Sequence, residues 1–136
     1  YNQMATDAKA DFMLQMFEKD PELAKIYEQK LAPCPNSPNC VSSFDSKAHH
    51  SIKPIEADLE KIEKTLAALP NANIVERSNN YMRAEFKSPL MGFVDDIEFL
   101  YDELENISHV RSASRIGYSD LGANRRRVEK IRTLVE

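Results

Sequence analysis

Hydrophobic positions along this chain recur with two different periods. Phe12, Met13, Met16 and Phe17 fall at helical spacing. Asp20 and Pro21 then suit a helix cap and first position, and Leu23, Ile26, Tyr27 and Leu31 continue the stripe. Residues 1–31 therefore predict an N-terminal helical arm. Residues 32–54 hold four of the seven prolines and no clear period, and so predict an ordered loop carrying Ser42, Ser43, His49 and His50. From Ile55 to Leu69, the residues Ile55, Leu59, Ile62, Leu66 and Leu69 share one helical face with charges opposite. Pro70 and Asn71 end that helix.

The period then drops to two. Ile74–Arg77 and Tyr81–Lys87 predict strands joined by a hairpin turn at Asn79-Asn80. The turn Ser88–Gly92 leads to a strand at Phe93–Tyr101, and an acidic loop leads to Ile107–Ile116. A last helix runs from near Leu121 to the end. The order α-β-β-β-β-α with short links predicts an α+β domain: a four-stranded antiparallel sheet with helices packed on one face, preceded by the arm. The expected division is 1–31 for the arm and 32–136 for the single domain.

Alternation sorts the strands into two faces. Met82, Ala84 and Phe86, then Phe93, Ile97 and Phe99, then Val110, Ser112 and Ser114 belong to the helix-covered face. Arg83, Glu85, Lys87, Asp96, Glu98, His109, Arg111 and Arg115 belong to the open one. Simple registers put Arg83, Glu98 and His109 in one row and Glu85, Asp96 and Arg111 in another, as solvated cross-strand ion pairs or as a polar binding platform. Asp95 breaks the pattern by falling on the covered face, where a carboxylate needs a partner. In the last helix, Leu121, Asn124, Arg125, Ile131 and Val135 project within about 60° of Val128, whereas Arg126 points away and Arg127 sits on the flank. Arg125 or Arg115 is thus the expected partner of Asp95, and Asn124 is expected to bond the backbone of the preceding turn. Ser119 or Asp120 is the expected helix cap, at an end whose amides, with Arg115 and Arg125 nearby, suit a phosphate or carboxylate. Asp120 opposes that by filling the site itself.

Composition narrows the function. The formal net charge of −4 argues against a nucleic-acid partner. No apolar run reaches the eighteen or so residues of a membrane span. The chain starts at Tyr1 rather than Met, as after trimming, which leaves room for a membrane anchor or export signal upstream. Arg111–Arg132 holds six arginines, one lysine and only two acidic residues, yet its arginines divide among the open face, the seam and solvent. Cys34 and Cys40 close the proline-stiffened loop CPNSPNC, either as a disulfide in an oxidising compartment or as two thiols of a cytosolic loop. With His49 and His50 they are also weighed as a zinc site, but the cysteine spacing is wider than such sites use. No metal or cofactor is expected, and there is no nucleophile elbow, P-loop or zincin motif.

The blocks CPNSPNCVSS (Cys34–Ser43), SPLMGFVDDIEF (Ser88–Phe99) and VRSASRIGYSDLGANRRR (Val110–Arg127) resemble the family called domain of unknown function 1499, over roughly residues 31–136. Its motif positions fall on Cys34, Pro38, Asn39, Cys40, Asp95, Asp96, Arg111, Ser112, Ser114, Arg115, Gly117, Tyr118, Asp120, Asn124 and Arg125. Members occur in bacteria, often behind a lipid anchor or membrane segment, and in plant plastids. The resemblance thus implies an extracytoplasmic setting, periplasmic or membrane-anchored, or a plastid one, and favours the Cys34–Cys40 disulfide.

The residues and the resemblance together point to a non-enzymatic binding module for a protein partner or a small anionic ligand, bound through Arg111, Arg115, Tyr118 and Arg125, with Asp95, Asp120 and Asn124 structural. The alternatives are a hydrolase-like enzyme using Asp95 or Asp96 with an arginine clamp, and a structural subunit docking through its N-terminal helices. A pocket joining Asp95 to Arg115 would favour the enzyme. An ion-paired sheet face with Asp95 fully paired would favour binding or structure.

Overall fold

The computed structural model describes residues 30–136 except 89–91 and 118, together with Gln15, Glu18 and Lys19. The chain divides into two units, Tyr1–Lys30 and Leu31–Glu136. In the first, Gln15, Glu18 and Lys19 are helical. The rest of the expected arm, including Phe12, Met16 and Phe17, lies outside the described residues. Leu31 departs from the expected helix: it is non-helical and buried in the second unit.

The second unit is an α+β domain built on five strands rather than four. β1 is Cys40–Ser42, α1 Leu59–Ala67, β2 Ala72–Arg77, β3 Tyr81–Lys87, β4 Val94–Asp102, β5 Ile107–Ser114 and α2 Ala123–Val135. The sheet order is β1-β5-β4-β3-β2, antiparallel throughout. β1 lies in the stretch expected to be loop. Three residues are too few to display a period, and their strand character comes from pairing with β5, with Val41 opposite Ser112. The Cys34–Cys40 disulfide, with Cα atoms 5.7 Å apart, ties the proline-rich loop to this strand.

Helix α1 starts later than its apolar stripe suggests. The Asp58 carboxylate accepts the Lys61 amide at 2.9 Å and sets the first turn after itself. Ile55 instead bridges to Ser108, exchanging backbone bonds of 2.9 and 2.8 Å. Ile62 and Leu66 of α1 and Val128, Ile131 and Val135 of α2 cover one face of the sheet. There they meet Met82, Ala84, Phe86, Ile97, Phe99 and Val110 in a single buried cluster. α2 lies over β5 and β1, while α1 lies over β2 and against α2. That placement puts the first turn of α2 above the end of the sheet where β3 ends, β4 begins and β5 ends.

The strand faces follow the alternation, and the rows slip only at β5. Arg83 faces Glu98 as expected, but the next residue in the row is Arg111, not His109. Glu85 faces Asp96, and the next residue in that row is Ala113 rather than Arg111. The loop 103–106 sets this register; Asn106 takes a positive φ of 55° there, which alternation alone cannot reveal.

Candidate functional site

The β5–α2 joint is held by a buried amide. Asn124, 0% exposed, opens the buried stripe of α2. Its Nδ2 donates to the Asn39 carbonyl (3.1 Å), Ser114 Oγ (3.0 Å) and Asp120 Oδ2 (2.7 Å). Its Oδ1 accepts from Ser112 Oγ (2.7 Å) and Arg127 Nη1 (2.8 Å). One side chain therefore links the loop before β1, strand β5 and helix α2. The expected bond to the backbone of the preceding turn is replaced by one to the Asp120 carboxylate. Asp120 caps the helix from two residues further back than a usual cap, accepting the Gly122 and Asn124 amides at 2.8 and 3.0 Å. Gly122 itself, at φ 80°, occupies the cap position. Burial raises the Asp120 carboxyl pKa, and the bonds from Asn124 and Gly122 outweigh it, leaving the group below its usual value.

Asp95 is paired, but not with the arginines expected. Its Oδ2 meets Arg127 Nη2 at 2.7 Å, with both side chains largely buried. Arg127 also lies over the Phe86 ring, 4.8 Å from its centre. Arg125 and Arg127 flank the Asn124–Val128 stripe on opposite sides. Arg127 leans toward β3 and β4, while Arg125 leans toward the loop before α1, donating to the Ser51 carbonyl at 2.8 Å and His49 carbonyl at 3.4 Å. Helical projection places both beside the stripe. Only the position of α2 over β5 and β1 decides which one reaches Asp95.

The open face is a grid of ion pairs. Arg115 reaches from the end of β5 across Asp96, at 2.7 Å, to Glu85. Arg83 joins Asp96 at 3.0 Å to Glu76 at 3.0 Å. The Arg115 and Arg83 guanidiniums hold the Asp96 carboxyl below its usual pKa against the opposing effect of burial. Arg111 lies 3.5 Å from Glu98 and donates to the Pro33 carbonyl, while its buried Nε has no hydrogen-bond partner among the described residues. Burial and the 2.7 Å bond to Glu98 raise the Tyr81 phenol well above its usual pKa. Arg111, Arg115 and Arg125 are thus engaged with protein carboxylates and carbonyls, and the structure does not bring them together around one point. Tyr118 lies outside the described residues. Cys34 and Cys40 are bonded to each other and offer no thiolate to a metal.

A cleft of about 480 Å³ opens at the same end of the sheet. Phe86, Val94 and Ala123 line it, and its charged groups are the Asp95–Arg127 pair, Asp120 and Lys87. Phe93, Ile116 and Leu121 also line it, and all three are exposed, at 46%, 60% and 85%. The sequence pattern misplaces each of them. Phe93 precedes β4 instead of facing the core, Ile116 lies beyond the end of β5, and Leu121 precedes α2. Leu121 has a φ of 54°, a left-handed conformation that costs a branched side chain about 1–2 kcal/mol. Its carbonyl accepts from Arg126 Nη1 at 2.6 Å, which helps hold the turn. The cleft takes in Asp95 but not Arg115.

Fold and site define a small disulfide-bonded α+β domain with an apolar cleft of ligand size at its strand–helix joint. Among the described residues no helix is long and apolar enough to cross a membrane. The chain belongs to the family described as "Protein of unknown function (DUF1499)", whose model matches residues 30–135. Comparison with curated proteins and with solved structures finds no match.

Proposed function

We propose that this domain is a non-enzymatic binding module working in an oxidising, extracytoplasmic compartment, and that its site is the cleft between Phe93, Ile116 and Leu121. The carrying observation is the coincidence of a 480 Å³ apolar hollow with three large exposed apolar side chains at its rim. Small-molecule sites have volumes of about 300–1,000 Å³ and are mostly apolar with a few polar groups, and this cleft fits that description. The strained Leu121 supports the reading, because a residue held at 54° while 85% exposed gains nothing in folding from its side chain. Binding through Arg111, Arg115 and Arg125 loses support, since Arg111 and Arg115 are paired with carboxylates and Arg125 is held by the Ser51 and His49 carbonyls. The hydrolase reading loses support as well: Asp95 is held by Arg127, and Asp96 lies between Arg83 and Arg115. The disulfide across the proline-rich loop supports the compartment.

Titration with the uncharged fluorescent probe N-phenyl-1-naphthylamine tests the site. The expected result is saturable binding that Ile116→Ser and Leu121→Ser weaken without lowering the melting temperature. Equal binding by the variants and the parent protein would exclude the cleft as the site.

A further inference from the structure

A second, smaller hollow of about 210 Å³ adjoins the cleft, and Asn71, Phe86, Ala123 and Arg127 line both. Its charge is one-sided. The ionisable groups in its described lining are Arg126, Arg127 and Lys130, with no carboxylate among them. Arg127 is neutralised by Asp95, leaving Arg126 and Lys130 without a carboxylate partner among the described residues. They stand four residues apart on one exposed flank of α2, a spacing at which like charges repel. The cleft itself is mainly apolar: its carboxylates Asp95 and Asp120 are held by Arg127 and by helix amides, and Lys87 is the one further cation in its described lining.

We propose that the ligand is an anionic amphiphile, with its apolar chain in the cleft beside Phe93, Ile116 and Leu121 and its phosphate or carboxylate head in the adjoining hollow at Arg126 and Lys130. This rests on the cleft being the binding site and adds the class of molecule that fills it. The shared wall gives a continuous path from apolar to cationic surface, and Phe86 and the Arg127 guanidinium mark the crossing point. Arg126 spends one donor on the Leu121 carbonyl, so an anion at its remaining donors would also brace the turn that carries Leu121 into the rim.

Calorimetric titration with decyl phosphate, decyltrimethylammonium and decyl glucoside, each kept monomeric, separates head from chain. Decyl phosphate is expected to bind about tenfold more tightly than the other two, as for one added charge-assisted contact. Lys130→Gln should remove most of that preference and leave decyl glucoside binding unchanged. Lys130 is exposed and its replacement leaves the Arg126–Leu121 bond in place. Leu121→Ser should weaken all three ligands together. Equal affinity for the three head groups, or a preference that survives Lys130→Gln and Arg126→Gln, would overturn the inference while leaving the cleft reading standing. Failure of every ligand, decyl glucoside included, would bring down both. Binding to phosphatidylglycerol vesicles without binding to monomeric decyl phosphate would also overturn it, because the head would then be recognised on a bilayer surface with the cleft empty.

Discussion

Replacing Asn124 by Ala tests the most connected side chain in the domain. The amide has five hydrogen-bonding partners, its two Nδ2 hydrogens shared among three acceptors, in the loop before β1, in β5, in the turn before α2 and in α2 itself. Each bond contributes on the order of 1 kcal/mol net, and a buried partner left unsatisfied costs about 1–3 kcal/mol. Several partners keep a second bond. The Asn39 carbonyl still accepts the Ser114 amide at 3.0 Å, and Asp120 still accepts the Gly122 amide. Ser112 Oγ, buried with its residue 0% exposed, loses its acceptor. The vacated carboxamide leaves a polar void too well enclosed to collapse fully. The expected loss is therefore about 2–4 kcal/mol, below the simple sum of five bonds. Urea denaturation with an unchanged m value measures it directly. Asn124→Asp should also destabilise, because a second carboxylate would then face Asp120 at the distance where Nδ2 now donates. A loss under about 0.5 kcal/mol for Asn124→Ala, the size of an ordinary surface change, would refute the account of the joint.

Leu121→Gly should stabilise the domain by about 1 kcal/mol by relieving the left-handed residue, while weakening probe binding; loss of stability in urea would contradict the strain argument. Arg125→Ala should cost about 1–3 kcal/mol through the Ser51 carbonyl bond, and an unchanged melting curve would show that the loop before α1 is held by other contacts. Reducing the disulfide, or replacing both cysteines by Ser, should cost about 2 kcal/mol by freeing a short loop in the unfolded chain. Alkylation mapping of the protein from its native source should find Cys34 and Cys40 unreactive until reduced. Asp96 and Asp120 have depressed folded-state pKa values, so their contribution is complete above the unfolded value of about 4 and is lost as pH falls through the lower folded values. Acid unfolding should therefore steepen below about pH 4, and Asp120→Asn should flatten that slope.

Strand alternation and helical spacing made most of the fold legible. Phe86, Ile97, Phe99 and Val110 face the helices because their positions repeat every second residue, and Val128, Ile131 and Val135 because theirs repeat every turn. Asp95 stood out as a charge on a covered face, and a charge there had to be paired. β1 escaped notice because three residues among prolines carry no periodic signal. The β5 rows shifted because register depends on the loop before the strand.

The amino-acid order alone determined four of the five strands, the covering helices, the two faces and the need for a partner at Asp95. These depend on local periodicity and on the cost of burying a charge, both of which act residue by residue. Tertiary structure alone decided that Arg127 and not Arg125 reaches Asp95, because α2 crosses β5 and β1 at a position its own sequence does not encode. Tertiary structure also placed Phe93, Ile116 and Leu121 together. They lie outside the regular elements, so no period governs their side chains, and only the meeting of three strand ends with one helix start makes them the rim of a cleft.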